Sequence, residues 1–184
     1  MKNPGQKSFS ATINAWCAQS EARMTAVFRD AAQSVANEVR KPVGAGGSMP
    51  VDTGNLRRSL MASTDRVPEI KPGTTQFSEN DGQITAVIAN APLGSVIYLG
   101  FQADYARHME YGTKAHTISP KDKQALHFTV GGAGVFAKAV KHPGTKAYGF
   151  VRKTVQDWPQ IVSQSAERIK QRVDARVAFK GLND

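Results

Sequence analysis

Cysteine is the scarcest residue type of this 184-residue chain, which contains Cys17 and no other thiol. A single cysteine excludes an internal disulfide framework, and without a cysteine cluster a structural zinc site is not expected. The chain also lacks the roughly 18 consecutive apolar residues of a membrane-spanning helix, and its N-terminus lacks the apolar core of a signal peptide. These absences favour a soluble protein in a reducing compartment such as the bacterial cytoplasm.

The sequence patterns that accompany catalysis are absent as well. The histidines are too widely spaced to form the HxH or HExxH pair of a metal site. They are His108, His116, His127 and His142. No GxSxG nucleophile turn occurs, and the glycine-rich stretches GAGG and GGAG lack the Lys-Ser/Thr of a phosphate-binding loop. The sequence therefore predicts no enzyme activity, no cofactor and no metal ion.

Positive charge is in excess, with 24 Lys and Arg against 15 Asp and Glu and a formal net charge of +9. Two interpretations stand: a solvated basic surface, or contact with DNA phosphates. The last helix carries the basic side chains that are candidate contacts with DNA or an acidic partner. They are Arg152, Lys153, Arg168, Lys170, Arg172 and Arg176.

Apolar residues recur at steps of three and four over residues 9–40, which predicts one long amphipathic helix. Its length of about 48 Å exceeds what a small domain needs. Either part of its apolar stripe packs on a neighbouring subunit, or the whole stripe covers the chain's own sheet. The Gly- and Pro-rich residues 42–50 predict a mobile linker after it.

The middle of the chain combines a short helix with strands. Residues 52–60 predict two or three helical turns, with Asp52 or Thr53 as the N-cap. Alternation around Ile84–Ile88 and the apolar run 96–99 predict strands, and 74–77 is expected to pair with 83–89 through an Asp81-Gly82 turn. Further short strands are predicted at 115–118, 125–130 and 135–140.

Helical spacing returns from about residue 149 to 179, and Pro159 predicts a kink, or the start of the main helix, near Trp158. The order of elements predicts an α+β fold, in which an antiparallel β-sheet packs against a long N-terminal and a long C-terminal helix. We expect a single domain spanning residues 1–184. Its parts are the N-terminal helix (1–41), the linker (42–50), the short helix and sheet (51–148), and the C-terminal helix and tail (149–184).

Three motifs stand out, DTGNLRRSL at 52–60, YARHMEYGT at 105–113 and HPGTKAYGFVRKTV at 142–155. In this order they resemble the neck or tail-completion protein family of long-tailed bacteriophages. Family members show D-T-G-x-L-R-x-S, then Y-A-x-x-x-E-x-G-T, and then a Pro-Phe segment that opens the last helix. The chain keeps Asp52, Thr53, Gly54, Leu56, Arg57, Ser59, Tyr105, Ala106, Glu110, Gly112 and Thr113. It departs at the third motif, where Tyr148-Gly149-Phe150 stands in place of Pro-Phe.

The resemblance implies a structural virion protein, assembled in the host cytoplasm, that forms a hexameric ring at the head–tail junction. Its implied partners are further copies of itself and the phage head-closure and tail-terminator or tail-tube proteins. The positive charge adds non-specific contact with packaged DNA as a further expectation. The third motif adds the structural or interface candidates His142, Pro143, Gly144 and Phe150. The alternative function is a small basic protein that binds double-stranded DNA.

The motifs also carry physical expectations of their own. Residues 105–111 predict one or two helical turns that end at Gly112, with Glu110 near the C-terminus, where the helix dipole disfavours an acid. A cation, Arg57 or Arg58, is one predicted partner, and a surface glutamate without a partner is the alternative. Positive φ or close backbone approach is expected at Gly54, Gly112 and Gly144.

Overall fold

The computed structural model describes residues 8–121 and 123–180, so that residues 1–7 and 181–184 of the expected domain lie outside the described part. The helices are α1 (Phe9–Glu38), α2 (Asn55–Arg58), α3 (Asp81–Asn90), α4 (Ala106–Tyr111), α5 (Phe150–Gln156) and α6 (Trp158–Lys180). The strands are β1 (Leu60–Ser63), β2 (Tyr98–Phe101), β3 (His116–Ile118), β4 (Leu126–Val130), β5 (Ala133–Ala137) and β6 (Val140–His142). Long terminal helices and small antiparallel sheets confirm the predicted α+β class.

Helix α1 is the long amphipathic helix that the apolar spacing predicted. Ser8 caps it, because its side-chain oxygen accepts a hydrogen bond from the backbone N–H of Ala11 at 3.3 Å. With 30 residues it is about 45 Å long. Its second half packs along α6 and contributes Ala36 to a core shared with β1 and α3, and Val39, directly after the helix, belongs to the same core.

The strand predicted around Ile84–Ile88 is wrong, because this segment is the helix α3. Ile84 and Ile88 are both buried and lie four residues apart, a spacing that an alternating strand and a helix share. Asp81 lies in the first helical turn, where the dipole favours an acid, and binds Arg40 at the end of α1. The predicted hairpin with 74–77 is therefore absent, and Asp81-Gly82 begins a helix.

The strands form three separate two-stranded antiparallel sheets instead of one sheet. β1 pairs with β2, with Leu60 opposite Phe101, and this pair covers α1 and α3. β3 pairs with β6 and β4 with β5, which places the predicted strand 135–140 partly in β5 and partly in β6. We call residues 113–147, which contain these last four strands, the β arm.

The expected mobile linker 42–50 is a closed loop. The N–H of Met49 donates to the carbonyl of Lys41 and its carbonyl accepts from the N–H of Val43, each at 3.0 Å. Met49 itself is fully buried. At Gly47 a Cβ would lie 2.1 Å from the carbonyl oxygen of Lys41, so glycine is required for the closure.

The C-terminal helix is interrupted where Pro159 predicted. Asp157 separates α5 from α6, and Pro159 is the second residue of α6, where the missing N–H costs no helical hydrogen bond. The first helix of the pair begins at Phe150, after Gly149 with φ of 66°. No helix of the described residues is long and apolar enough to cross a membrane.

Candidate assembly surfaces

The three sequence motifs meet around one buried aromatic side chain. Phe150, which begins α5, is 1% exposed and packs in a cluster with Leu56 of the first motif and Ala106 of the second. Its ring contacts that of Phe101 edge to face, with centroids 5.3 Å apart. The motifs thus form one core that fixes the positions of α2, α4 and α5 relative to one another.

Asn55 joins the first two motifs by hydrogen bonds. Its amide nitrogen donates to the hydroxyl of Tyr105 at 3.2 Å, and its oxygen accepts from the backbone N–H of Phe77 at 2.7 Å. The first motif leaves this position variable, so the resemblance did not select it. In the sequence, the role of Asn55 is indicated only by its position two residues after Thr53, at the start of a short helix.

Glu110 joins the second and third motifs, and its predicted pairing with Arg57 or Arg58 is wrong. Its carboxylate accepts from the backbone N–H groups of Val151 and Arg152 at 2.9 and 3.1 Å, and from Arg152 Nε at 3.0 Å. The side chain is buried at the N-terminus of α5, where free N–H groups and the helix dipole attract an anion. This interaction compensates for the unfavourable position of Glu110 at the end of α4.

The positive φ predicted for the motif glycines is confirmed at Gly54, Gly112 and Gly144, with values of 77°, 72° and 95°. The last two lie beside the paired residues Thr113 and Thr145, which exchange backbone hydrogen bonds. A Cβ at Gly112 would lie 2.6 Å from the carbonyl oxygen of Thr145, and one at Gly144 would lie 2.3 Å from that of Thr113. Both glycines are therefore required where the β arm joins the core.

The remaining first-motif residues divide between the core and the surface. Leu56 and Ser59 are buried, and the hydroxyl of Ser59 donates to the carbonyl of Leu56 at 2.7 Å. Asp52 and Thr53 are exposed, and Gly54, not either of them, is the residue that precedes the single turn of α2. Arg57 is half exposed, 3.9 Å from Asp81.

A surface depression of about 570 Å³ opens beside this core. Its walls combine first-motif residues with apolar side chains, which include Val43 of the closed loop, Met109 of α4, and Val51, Tyr105 and Tyr148. Asp52 is the one charged residue among the described lining residues. Volumes of about 300–1,000 Å³ are typical of clefts that accept a small-molecule ligand.

Two of the third-motif residues lie at the base of the β arm. The ring of His142 lies against that of His116, with centroids 5.1 Å apart, and its Nδ1 accepts from the N–H of Gly144 at 3.1 Å. Pro143 is exposed beside it. Within residues 8–121 and 123–180, no group of three His, Cys, Asp or Glu side chains is arranged to hold a metal ion.

Most of the basic side chains predicted to contact DNA make internal contacts. Arg152 binds Glu110, and Arg168 binds Asp30 at 2.5 Å as well as the hydroxyls of Ser34 and Ser165. Arg172 lies 3.8 Å from Asp30, and Lys170 lies 4.0 Å from Glu167. Lys153 donates a hydrogen bond to the hydroxyl of Ser48 at 3.2 Å, and Arg176 is exposed. Arg152 and Arg168 therefore hold the helices in place.

The first three turns of α1 carry an apolar surface that the rest of the described structure does not bury. Every residue from 9 to 19 is exposed, and none of them is charged. Phe9, Ile13 and Trp16 lie at helical spacing, and Phe9 and Trp16 are 83% and 66% exposed. We call residues 9–19 the α1 projection, and these three side chains form an uncovered apolar stripe on it.

Comparisons of the chain with models of protein families, with curated proteins and with solved structures give no match.

Proposed function

We propose that the chain is a structural subunit of a bacteriophage neck, which forms a ring that completes the tail and joins it to the head. The observation that carries the proposal is the α1 projection. A helical segment without charge, with Phe9 and Trp16 largely in solvent, is unfavourable for an isolated molecule and is typical of a protein interface. The three motifs, which resemble those of neck proteins in the same order, indicate what kind of assembly this is.

The two apolar surfaces, the stripe on the α1 projection and the depression, lie near opposite ends of α1. The depression includes Val43, just after the C-terminal end of α1, whereas Trp16 lies near the N-terminal end. Between Trp16 and Glu38 the continuous helix rises about 33 Å, so that Trp16 cannot reach the depression of its own chain. The stripe of one copy can therefore meet only the depression of another copy, and repeated head-to-tail contacts of this kind form a ring where the rotation between copies closes. The resemblance gives a hexamer.

In this role the protein acts by binding, with itself and with the head-closure and tail-terminator or tail-tube proteins as partners. It is assembled in the host cytoplasm and remains in the virion at the head–tail junction. The rigid core formed by the three motifs supports this role, because it holds the depression and the base of the β arm in a fixed geometry.

The test is to delete the reading frame from the phage or prophage that encodes it and to examine the lysate by electron microscopy. We expect DNA-filled heads and separate tails, and joined infectious particles when the intact protein is supplied from a plasmid. Mass spectrometry of purified particles should detect the chain, and a reconstruction should locate it at the neck. Infectious particles that form without the chain, or that do not contain it, would exclude the role.

A further inference from the structure

The β arm carries more than half of the net charge of the chain. Residues 113–147 contain six lysines, no arginine and one carboxylate, Asp122, which gives a formal charge of +5 out of +9 with histidine neutral. All six lysines are exposed, and they are Lys114, Lys121, Lys123, Lys138, Lys141 and Lys146.

The pairing of the strands distributes these lysines along the whole arm. Lys114 and Lys146 directly follow Thr113 and Thr145, which pair at its base. Lys141 lies opposite Thr117 in the β3–β6 pair. The other three flank the β4–β5 hairpin, before Leu126 and after Ala137.

These lysines differ from the basic residues of α5 and α6 in their partners. No lysine of the arm forms an ion pair within residues 8–121 and 123–180, whereas Arg152 and Arg168 bind buried or partly buried carboxylates. Like charges gathered on one element repel each other, and a polyanion removes this repulsion. The arm is thus the part of the described chain where positive charge is clustered without internal compensation.

The arm also lacks a core of its own. None of its described residues is buried, and a two-stranded ribbon without such support is only marginally stable in water. A ligand that binds the ordered arm and not the unfolded one stabilises it.

We propose that the β arm binds the phosphate backbone of double-stranded DNA without reading its sequence. A two-stranded ribbon fits the major groove of DNA, which is about 12 Å wide. Lysine is a point charge suited to phosphate contacts, and the arm has no arginine to form the bidentate contact with guanine that most often gives specificity. This binding belongs to the isolated chain and does not depend on the proposed neck role.

The experiment measures the affinity of the purified protein for two short duplexes of unrelated sequence, by fluorescence anisotropy, between about 50 and 200 mM salt. Each neutralised phosphate contributes about 0.9 to the slope of log Kobs against log salt, so that six engaged lysines give a slope of about −5. Lys123→Gln with Lys138→Gln is expected to reduce it to about −3.5. The two duplexes should bind with equal affinity.

The matched control is Lys153→Gln with Lys170→Gln, which removes the same charge from α5 and α6 and is expected to leave the slope unchanged. Circular dichroism should show that both variants are folded. A control that lowers the slope as much as the arm variant would overturn the proposal, as would the absence of binding at the lowest salt. Polyglutamate that binds as tightly as DNA would also overturn it, in favour of an acidic protein partner.

Discussion

The carboxylate of Glu110 lies 3.0 Å from Nε of Arg152 and simultaneously accepts the backbone N–H groups of Val151 and Arg152. The guanidinium of Arg152 returns a hydrogen bond to the carbonyl of Glu110 at 3.1 Å and lies 4.9 Å from the ring centre of Tyr111. The side chain of Glu110, in the last turn of α4, thereby accepts free N–H groups in the first turn of α5. This contact joins the second and third motifs, as the hydrogen bonds between Thr113 and Thr145 also do.

Glu110→Gln should therefore destabilise the protein. The amide has one oxygen and no charge, so it cannot satisfy the donors that the carboxylate accepts, and hydrogen bonds to charged groups contribute about 1.5–3 kcal/mol. We expect a loss of about 2 kcal/mol in the free energy of unfolding, measured in urea. Glu167→Gln on the exposed face of α6 is the control and should change it by less than about 0.5 kcal/mol.

A double-mutant cycle distinguishes the observed partner of Glu110 from the predicted one. Glu110→Gln combined with Arg152→Ala should show a coupling energy of at least about 0.5 kcal/mol, since each residue binds the other. The same cycle with Arg57→Ala should show none, because Arg57 lies near Asp81. Coupling to Arg57 and not to Arg152 would contradict the structure.

Gly144→Ala should destabilise the joint between the β arm and the core more than an ordinary glycine substitution does. Its Cβ would lie 2.3 Å from the carbonyl oxygen of Thr113, so the backbone must move in addition to the strain of positive φ. The control is Gly73→Ala, which has φ of 73° and no atom within 4 Å of the added Cβ. We expect about 1 kcal/mol for Gly73 and at least about 1 kcal/mol more for Gly144, by thermal unfolding. Equal losses would mean that the approach to Thr113 is not tight.

The sequence was sufficient to predict the elements whose residue pattern fits only one type of secondary structure. The three- and four-residue spacing extends over some 30 positions in α1, and Pro159 marks the break between α5 and α6. Helix α3 has only ten residues, and Ile84 and Ile88 fit a strand as well as a helix. The ion pair of Asp81 with Arg40 and the packing of Ile84 and Ile88 in the core decide for the helix. Both depend on residues that are distant in the sequence.

The polar contacts of the site could not be predicted for a different reason. Glu110 and Arg152 are 42 residues apart, and two of the donors to Glu110 are backbone N–H groups, which have no sequence signature. The predicted pairing of Glu110 with an arginine of the first motif is therefore wrong, and its partner is Arg152. The glycines were predicted because turn-forming neighbours indicate positive φ from local sequence alone.

Asn55→Ala should destabilise the protein, although Asp52 and Thr53, close to it in the sequence, are exposed. It removes the acceptor of the Phe77 N–H and the donor to Tyr105, and an unsatisfied buried donor costs about 1–3 kcal/mol. Asn14→Ala on the α1 projection is the matched control, and it should change stability by less than about 0.5 kcal/mol. Chemical denaturation measures both. A loss for Asn55 no larger than that for Asn14 would show that its hydrogen bonds contribute nothing.

The proposed contact between the α1 projection of one copy and the depression of the next can be tested with the single native cysteine. Cys17 lies beside Trp16, and Val51 is at the exposed wall of the depression. Wild-type protein mixed with the double variant Cys17→Ser, Val51→Cys should form a crosslinked dimer with a short bismaleimide. Trp16→Ala in the copy that supplies Cys17 should lower the yield of this crosslinked dimer at least about tenfold. The reason is that a buried interface tryptophan commonly contributes more than about 1.4 kcal/mol to binding. Trp158→Ala, which also removes an exposed tryptophan, should leave the yield within about twofold. Crosslinking chiefly through Cys17 of two wild-type copies would instead indicate symmetric pairing of the helices and would exclude the head-to-tail ring contact.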